Sequence, residues 1–438
     1  MESKQRENDT RNVLVPYCYE EFVCDGRTCG DNCCMGQWCI FVDEYHYHRL
    51  KNIQDPDIRE KIDKHLIRNK NSTNEEEYGM IVKDQNSSCA FLSSDCMWTL
   101  QKAYGVHVLG NVCMTYPRNT NSVYGELEKT LSLSCPIAAK LLLSDKEGIR
   151  FQIIQEPINT RHIINNKLSM GMNENSTIKE YFHKIRNVCV QILKAREYEI
   201  WERVCLLGMM CLKIDKDAVN IPMVLDKFTR GISLPGTYRE PLSKLNVNAL
   251  FQLKILVEIG LERFAFGSNE CGEYFKLVSD ALQGINYRPG AESLGDHYLQ
   301  AYQEYGMPFL RKNEYILENY LVNYIYFHVF PYSPEKTVFE SFMMLAVHYA
   351  LIRLLVIGHA SYLKGNITSD TAIGIIQKFV KTVEHNSSYI MHIYNLMKIN
   401  KFEDLALMIM LLKLENKGKC YPKHLIYKGY HQIQYTGN

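Results

Sequence analysis

From about residue 178 onward, apolar positions recur at three- and four-residue spacing, the period of one helix face. This pattern predicts helices over 178–196, 198–214, 247–264, 270–283, 314–329, 337–362, 369–383 and 402–414. Several are apolar around most of their circumference, which predicts a thick bundle rather than surface helices. Before residue 145 the pattern breaks into short, cysteine-bearing loops. One helix is predicted over 56–69, with Ile58, Ile62, Leu66 and Ile67 on its apolar side, Asp55 as N-cap and Pro56 at the first helical position. Another is predicted over 124–143, carrying Leu127, Leu131, Cys135 and Leu142 near one side. Partial alternation over 149–155 predicts a short strand, and the Asn-, Met- and Ser-rich stretch 157–177 reads as a linker. The expected fold is mainly α. A cysteine-rich metal-binding region (13–145) with short helices and a little strand leads through a strand and linker (146–177) to an α-helical domain (178–438).

No repeat of solenoid period is visible. Neither G-x-G-x-x-G after a strand nor G-x-x-x-x-G-K-[ST] occurs, so any adenosine-bearing cofactor must be held in another way. The 438 residues are 46% hydrophobic and 23% charged, the composition of a folded globular protein of two or three domains. A formal charge of +1 gives no global field to attract nucleic acid or an anionic membrane, and no nucleic-acid partner is expected. The first twelve residues are polar and lack a signal peptide's apolar core, so a cytoplasmic location is expected. The stretch 341–363 is long enough to span a bilayer, but His348, Arg353 and His359 interrupt it. A central Arg costs about 2.5–3.5 kcal/mol on insertion scales, so a buried helix is the better reading. Peripheral membrane contact and oligomeric state are left open.

The cysteines change this picture. Ten of the fifteen lie before residue 136. A reducing compartment disfavours disulfides, and an odd total does not fit full pairing. Cys24, Cys29, Cys33 and Cys34 fall within eleven residues of a turn-rich segment, F-V-C-D-G-R-T-C-G-D-N-C-C-M-G. Thiolate sulfur is the ligand that zinc and iron–sulfur clusters select. Neighbours Cys33 and Cys34 point to opposite sides of an extended chain, so one of them serves a second centre or the loop itself. Cys89, Cys96, Cys113 and Cys135 form a looser second group, and spacing alone leaves one site or two, zinc or iron, open. Cys189, Cys205, Cys211, Cys271 and Cys420 read as small buried hydrophobes.

The first motif, with Ile40-Phe-Val-Asp43 and Tyr47 after it, resembles the opening of bacterial flagellin lysine-N-methylases. S-C-A-F-L at Cys89, C-M-T-Y-P-R at Cys113, L-S-L-S-C-P at Cys135 and E-N-Y-L-V-N-Y from Glu318 extend the resemblance over most of residues 17–360. It implies methyl transfer from S-adenosylmethionine to lysine Nε atoms of flagellin, and a [4Fe–4S] cluster held by the N-terminal cysteines.

Such chemistry is demanding, because a free lysine has a pKa of about 10.4 and must lose a proton before it can attack. Glu318, Asn319, Tyr320 and Asn323 are the pocket candidates: Asn319 and Asn323 share a helix face, and Glu318 could neutralise an ammonium or a sulfonium. Helix–helix hydrogen bonding is the competing role for the asparagines. Arg118 either anchors a cofactor carboxylate or braces the cysteine loop, with bracing favoured. His348 reads as a satisfied core histidine. The rival from another class is a non-catalytic zinc or iron–sulfur protein, structural or redox-sensing, with a helical interaction domain.

Overall fold

Strand pairing, rather than loops, organises the N-terminal third. The computed structural model describes residues 9–27, 29–35, 39–85, 88–94, 97–170, 177–234, 236–266, 271–334 and 336–414, so Cys96 and Cys420 lie outside the described residues. Strands β1 (Thr10–Pro16), β5 (Arg118–Val123), β6 (Glu126–Leu131), β7 (Phe151–Pro157) and β8 (Ile164–Leu168) form a five-stranded sheet in the order β7-β1-β6-β5-β8. Strand β1 pairs antiparallel with β7 from Thr10↔Pro157 to Pro16↔Phe151 and parallel with β6 at Val13↔Leu127. A second, antiparallel sheet joins β2 (Ile40–Val42), β4 (Gly79–Ile81) and β3 (Leu66–Arg68) in that order.

Three expectations need correcting here. The helix expected over 124–143 is a hairpin followed by a helix. Tyr124 (φ 53°) and Gly125 (φ 89°) make the turn between β5 and β6, and two consecutive positive φ values suit a tight hairpin. Helix α1 begins only at Pro136 and runs to Leu143, with Cys135 as its N-cap. The helix expected to reach residue 69 stops at His65, because Leu66–Arg68 pairs with β4; Asp55 does cap it, accepting from the N–H groups of Asp57 and Ile58. The segment 146–177, read as strand and linker, supplies both edge strands of the large sheet.

The helical part follows its apolar period closely. Helices α2 (Phe182–Leu193), α3 (Ile200–Lys216), α4 (Met307–Phe327), α5 (Val338–Tyr362) and α6 (Ser369–Phe379) each contain or overlap a predicted span. Helices Ile221–Ser233, Leu294–Ala301 and Ser387–Ile399 were not foreseen. Among the described residues α5 is the one helix long and apolar enough to cross a membrane, and 94% of that stretch is buried inside the protein. Its Arg353 caps a neighbouring helix end, donating to the carbonyls of Leu411 (3.1 Å) and Leu412. Backbone contact sets the crossing with Cys271–Gly284: a Cβ on Gly284 would stand 1.9 Å from the Gly358 carbonyl oxygen.

Sheet and bundle share one apolar core that includes Val13, Leu131, Leu142, Cys189, Ile352 and Ile376. A smaller core under the cysteine region gathers Ile40, Leu50, Ile62, Phe91, Trp98 and Cys89. The sheet buries polar side chains on both faces, because Glu128 and Lys129 are neighbours on β6 and point to opposite sides. Arg186 of α2 grips both carboxylate oxygens of Glu128 on β6, and Lys129 pairs with Glu156 on β7. Removing one partner of a buried pair leaves the other charge without compensation. Arg186→Met is expected to lower stability by about 3–5 kcal/mol, and Arg186→Met with Glu128→Leu to recover most of it. Thermal denaturation of the three proteins checks this; equal losses in single and double variants would refute it.

Candidate functional site

The first cysteine loop is fixed at both ends. Arg118 Nη2 donates to the Phe22 carbonyl at 3.3 Å while its guanidinium lies 4.9 Å from the centre of the Phe22 ring. Within the loop, Cys29 N–H donates to Asp25 O at 3.1 Å and Cys34 N–H to Asn32 Oδ1 at 2.9 Å. From the bundle, Gln377 Nε2 donates to Asp31 Oδ2 at 2.8 Å, and Lys381 pairs with the same carboxylate. The second group is tied to the first by Cys89 N–H, which donates to Cys34 O at 2.8 Å. Trp98 Nε1 donates to Cys89 Sγ at 3.3 Å. Cys113 sits on the short helix Asn111–Thr115, whose first N–H is held by Asp43 Oδ2 at 2.8 Å.

Electrostatics sorts these thiols. Cys24, Cys29 and Cys135 each feel Cys33, whereas Cys34 feels Cys89 and Cys113 as well. Cys33 and Cys34 do not point to opposite sides as an extended chain would have them: their thiols are hydrogen-bonded to each other, and Cys33 acts on both groups. Donation from the Cys34 thiol, opposed by burial, brings Cys33 down to about 7; the same contact drives Cys34 upward. Burial pushes Cys113 up to about 12 and Cys135 to about 11, and raises Cys24, Cys29 and Cys89. Cys33 is therefore the thiol of this group that gives up its proton most readily.

The donor set suits a soft metal in type and number. Among the described residues, however, no three His, Cys, Asp or Glu side chains stand together as a metal-ligand set. The thiols converge without closing on a common point. Cys39 is exposed and Cys18 half-buried, while Cys189, Cys205 and Cys211 are buried in helices.

The pocket candidates on α4 are mostly committed elsewhere. Glu318 is buried between Arg196 (2.8 Å) and Arg203 (2.8 Å), so it is not free to meet an ammonium. Asn319 Oδ1 accepts from Ile149 N–H at 3.0 Å and its Nδ2 donates to Asp145 O at 2.7 Å. Asn323 Nδ2 donates to Leu131 O at 3.2 Å, and its Oδ1 accepts from Thr130. Asn323 holds the sheet and Asn319 the loop before β7. Tyr320 differs: its hydroxyl donates to Glu384, which the sequence reading missed.

Glu384 closes a π-turn, Val380–Glu384, that prolongs α6. Around it stand His348 of α5 and His328 at the end of α4, with Nδ1 and Nε2 at 3.7 and 3.8 Å from its oxygens. His348 is buried, but neither of its ring nitrogens has a hydrogen-bond partner, so it is not the satisfied core histidine expected. Next in chain, His385 Nε2 lies 3.2 Å from Ser132 Oγ. Ser132 and Ser134 hydroxyls are 2.7 Å apart, and Tyr116 Oη follows at 3.1 Å. Ser134 precedes Cys135, so this polar chain runs from the bundle interior to the cysteine site. No local sequence signal marks Glu384; it lies one residue past a predicted apolar helix.

The sequence model of the family described as FliB lysine N-methylase C-terminal domain matches residues 186–411, just over half of the chain. The chain belongs to the flagellin lysine-N-methylase family. No curated protein and no solved structure matches it. The matched methylase domain contains Tyr320, His328, His348 and Glu384, whereas Cys24 to Cys135 precede it.

Burial lowers His348 to about 4, with Glu384 partly offsetting the shift. An unfolded histidine titrates near 6.5, so between these values the unfolded chain binds the extra proton. The stability that neutral His348 contributes is present above about pH 6.5 and is lost as pH falls toward 4, by about 3 kcal/mol in all. His348→Leu is expected to flatten that part of the melting-temperature profile. Parallel profiles for both proteins would exclude His348 as the titrating group.

Proposed function

We propose that this methylase transfers methyl groups from S-adenosylmethionine to lysine Nε atoms of flagellin in the cytoplasm before export, and that its cysteines hold an iron–sulfur cluster. The observation that carries the reading is a junction. Thiols from four segments, the 24–34 loop, Cys89, Cys113 and Cys135, act on one another electrostatically, and the loop's Asp31 is gripped by Lys381 and Gln377 of the family domain. Cys24, Cys29, Cys33 and Cys135 are the first ligand candidates, and Cys34, Cys89 and Cys113 the second. When bound, a cluster would supply redox or Lewis-acid capacity at that junction.

The rest falls to the chain's own groups. A lysine ammonium must be stripped of water and of a proton, then held in line with the methyl carbon and the sulfonium. Buried aromatic walls exclude water and tolerate cations. Arg118 braces the cysteine loop through Phe22, which favours a positioning role over direct contact with a cofactor carboxylate.

Protein purified without oxygen is expected to carry roughly four irons and four acid-labile sulfides per chain and to label flagellin lysines from S-adenosylmethionine. Cys33→Ser is expected to lose most of the iron and at least tenfold in labelling, whereas Cys189→Ala, in the core, retains both. Stoichiometric zinc without sulfide would overturn the cluster assignment. A fully metallated protein that labels no lysine would overturn the enzyme reading in favour of a metal-binding interaction protein.

A further inference from the structure

Glu384 is a buried carboxylate with no cation beside it. Its side chain is 8% exposed, and among the described residues no lysine or arginine forms an ion pair with it. An anion removed from water is costly unless a positive charge or several donors replace the lost solvation. Here the one hydrogen bond comes from Tyr320. The imidazoles of His348 and His328 stand at 3.7 and 3.8 Å, too far for hydrogen bonds, and His348 Nδ1, His348 Nε2 and His328 Nε2 all lack partners. Buried polar atoms without partners at this density mark a place where a polar group can be received.

The walls indicate what would fit. Tyr324 lies 4.3 Å from His328 and 5.7 Å from His348, and Phe379 of α6 faces His348 at 5.7 Å, all between ring centres. His385 is on the same segment as Glu384, and Lys336 acts on His348 from the turn before α5. The other members are enclosed; the His328 side chain is 35% exposed, although its Nε2 is buried. A carboxylate, unpaired imidazole nitrogens and aromatic faces together suit a small cation that carries several N–H donors.

We propose that Glu384, His348 and His328 form the receiving site for the primary amine of the substrate lysine, with His348 as the proton acceptor. The inference rests on the methyl-transfer reading and deepens it. The ammonium is seated against Glu384 and gives one proton to the unprotonated ring nitrogen of neutral His348. The neutral amine nitrogen then attacks the methyl carbon: an N–C bond forms, the S–C bond breaks, and its electron pair stays on sulfur as S-adenosylhomocysteine. The proton leaves His348 past His328 to solvent. Burial, which favours neutral His348 at neutral pH, also disfavours the charged amine placed beside it, and Glu384 steadies the imidazolium once formed.

Two readouts on anaerobically purified protein test this. N-acetyl-lysine amide is the calorimetric probe: wild type is expected to bind it, Glu384→Gln at least tenfold more weakly, and the norleucine analogue, which has no amine, not at all. In steady-state methylation, Glu384→Gln is expected to raise KM for flagellin, while His348→Gln lowers kcat at least a hundredfold and shifts the acid limb of the pH profile. Melting temperature and iron content identify variants that fail to fold. His328→Gln, near the surface, is the independent check and should weaken probe binding about tenfold. If wild type methylates flagellin and all three variants stay within twofold in both readouts, the site is wrong and the methylase reading stands. If wild type methylates nothing, that reading fails, and the probe alone decides: weaker binding to Glu384→Gln supports the amine site, unchanged binding overturns it.

Discussion

The structure depends on how the C-terminal end of α4 is satisfied inside the protein. A helix leaves its last carbonyls without partners, and burying them unpaired is costly. Here Asn121 donates to the carbonyls of Tyr326 (2.8 Å) and Phe327 (3.2 Å), and Asn119 and Asn166 add donors to Phe327 at 3.3 and 3.2 Å. One turn earlier, Asn323 fastens α4 to β6, and near the middle of the helix Asn319 fastens it to the loop before β7. These contacts fix both the rotation and the depth of α4 against the sheet. Tyr320, Tyr324 and His328 lie along the same helix end, so their direction toward Glu384 follows from that interlock.

This arrangement explains which parts of the molecule could be seen in the sequence. The helical domain was legible because its apolar period is strong and its ends are marked, as by Thr337 with Glu340 at the start of α5. The cysteine loop stood out because four thiols fall within eleven residues of a turn-rich segment. The five-stranded sheet was not. Its central strands bury Asn119, Thr120, Asn121, Glu128, Lys129 and Thr130, residues that read as surface or turn, and only tertiary partners reverse that meaning. Leu127 and Leu131 are four apart, which imitates a helix; the Tyr124–Gly125 turn was the overlooked signal. Glu384 could not be read locally, since its surroundings come from α4, α5 and its own π-turn.

Buried polar groups are used in two ways here. Around Glu318 the charge is fully paired: Arg196 and Arg203 hold it, and Arg203 also donates to Tyr198 O and Leu193 O at 2.7 and 3.1 Å. Such a cluster specifies packing and leaves nothing to give to a ligand. The cluster around Glu384 joins the end of α4 to α5 and the π-turn, yet both ring nitrogens of His348 and Nε2 of His328 are left without partners. Low dielectric strengthens a satisfied network and penalises an incomplete one, so the contrast between the Glu318 and Glu384 clusters carries functional information.

The same contrast holds at the cysteines. Cys89 and Cys135 have donors aimed at sulfur, the Trp98 indole and the first N–H groups of α1, which favour thiolate over thiol. Burial outweighs those donors in the metal-free chain and keeps both protonated. A bound cation would reverse the balance, because its charge acts where the desolvation cost arises, and the donors would then stabilise coordinated sulfur. Ser132, Ser134 and Tyr116 lie between this site and Glu384, within hydrogen-bond reach of one another. The path between the two sites therefore runs through polar groups rather than through apolar core.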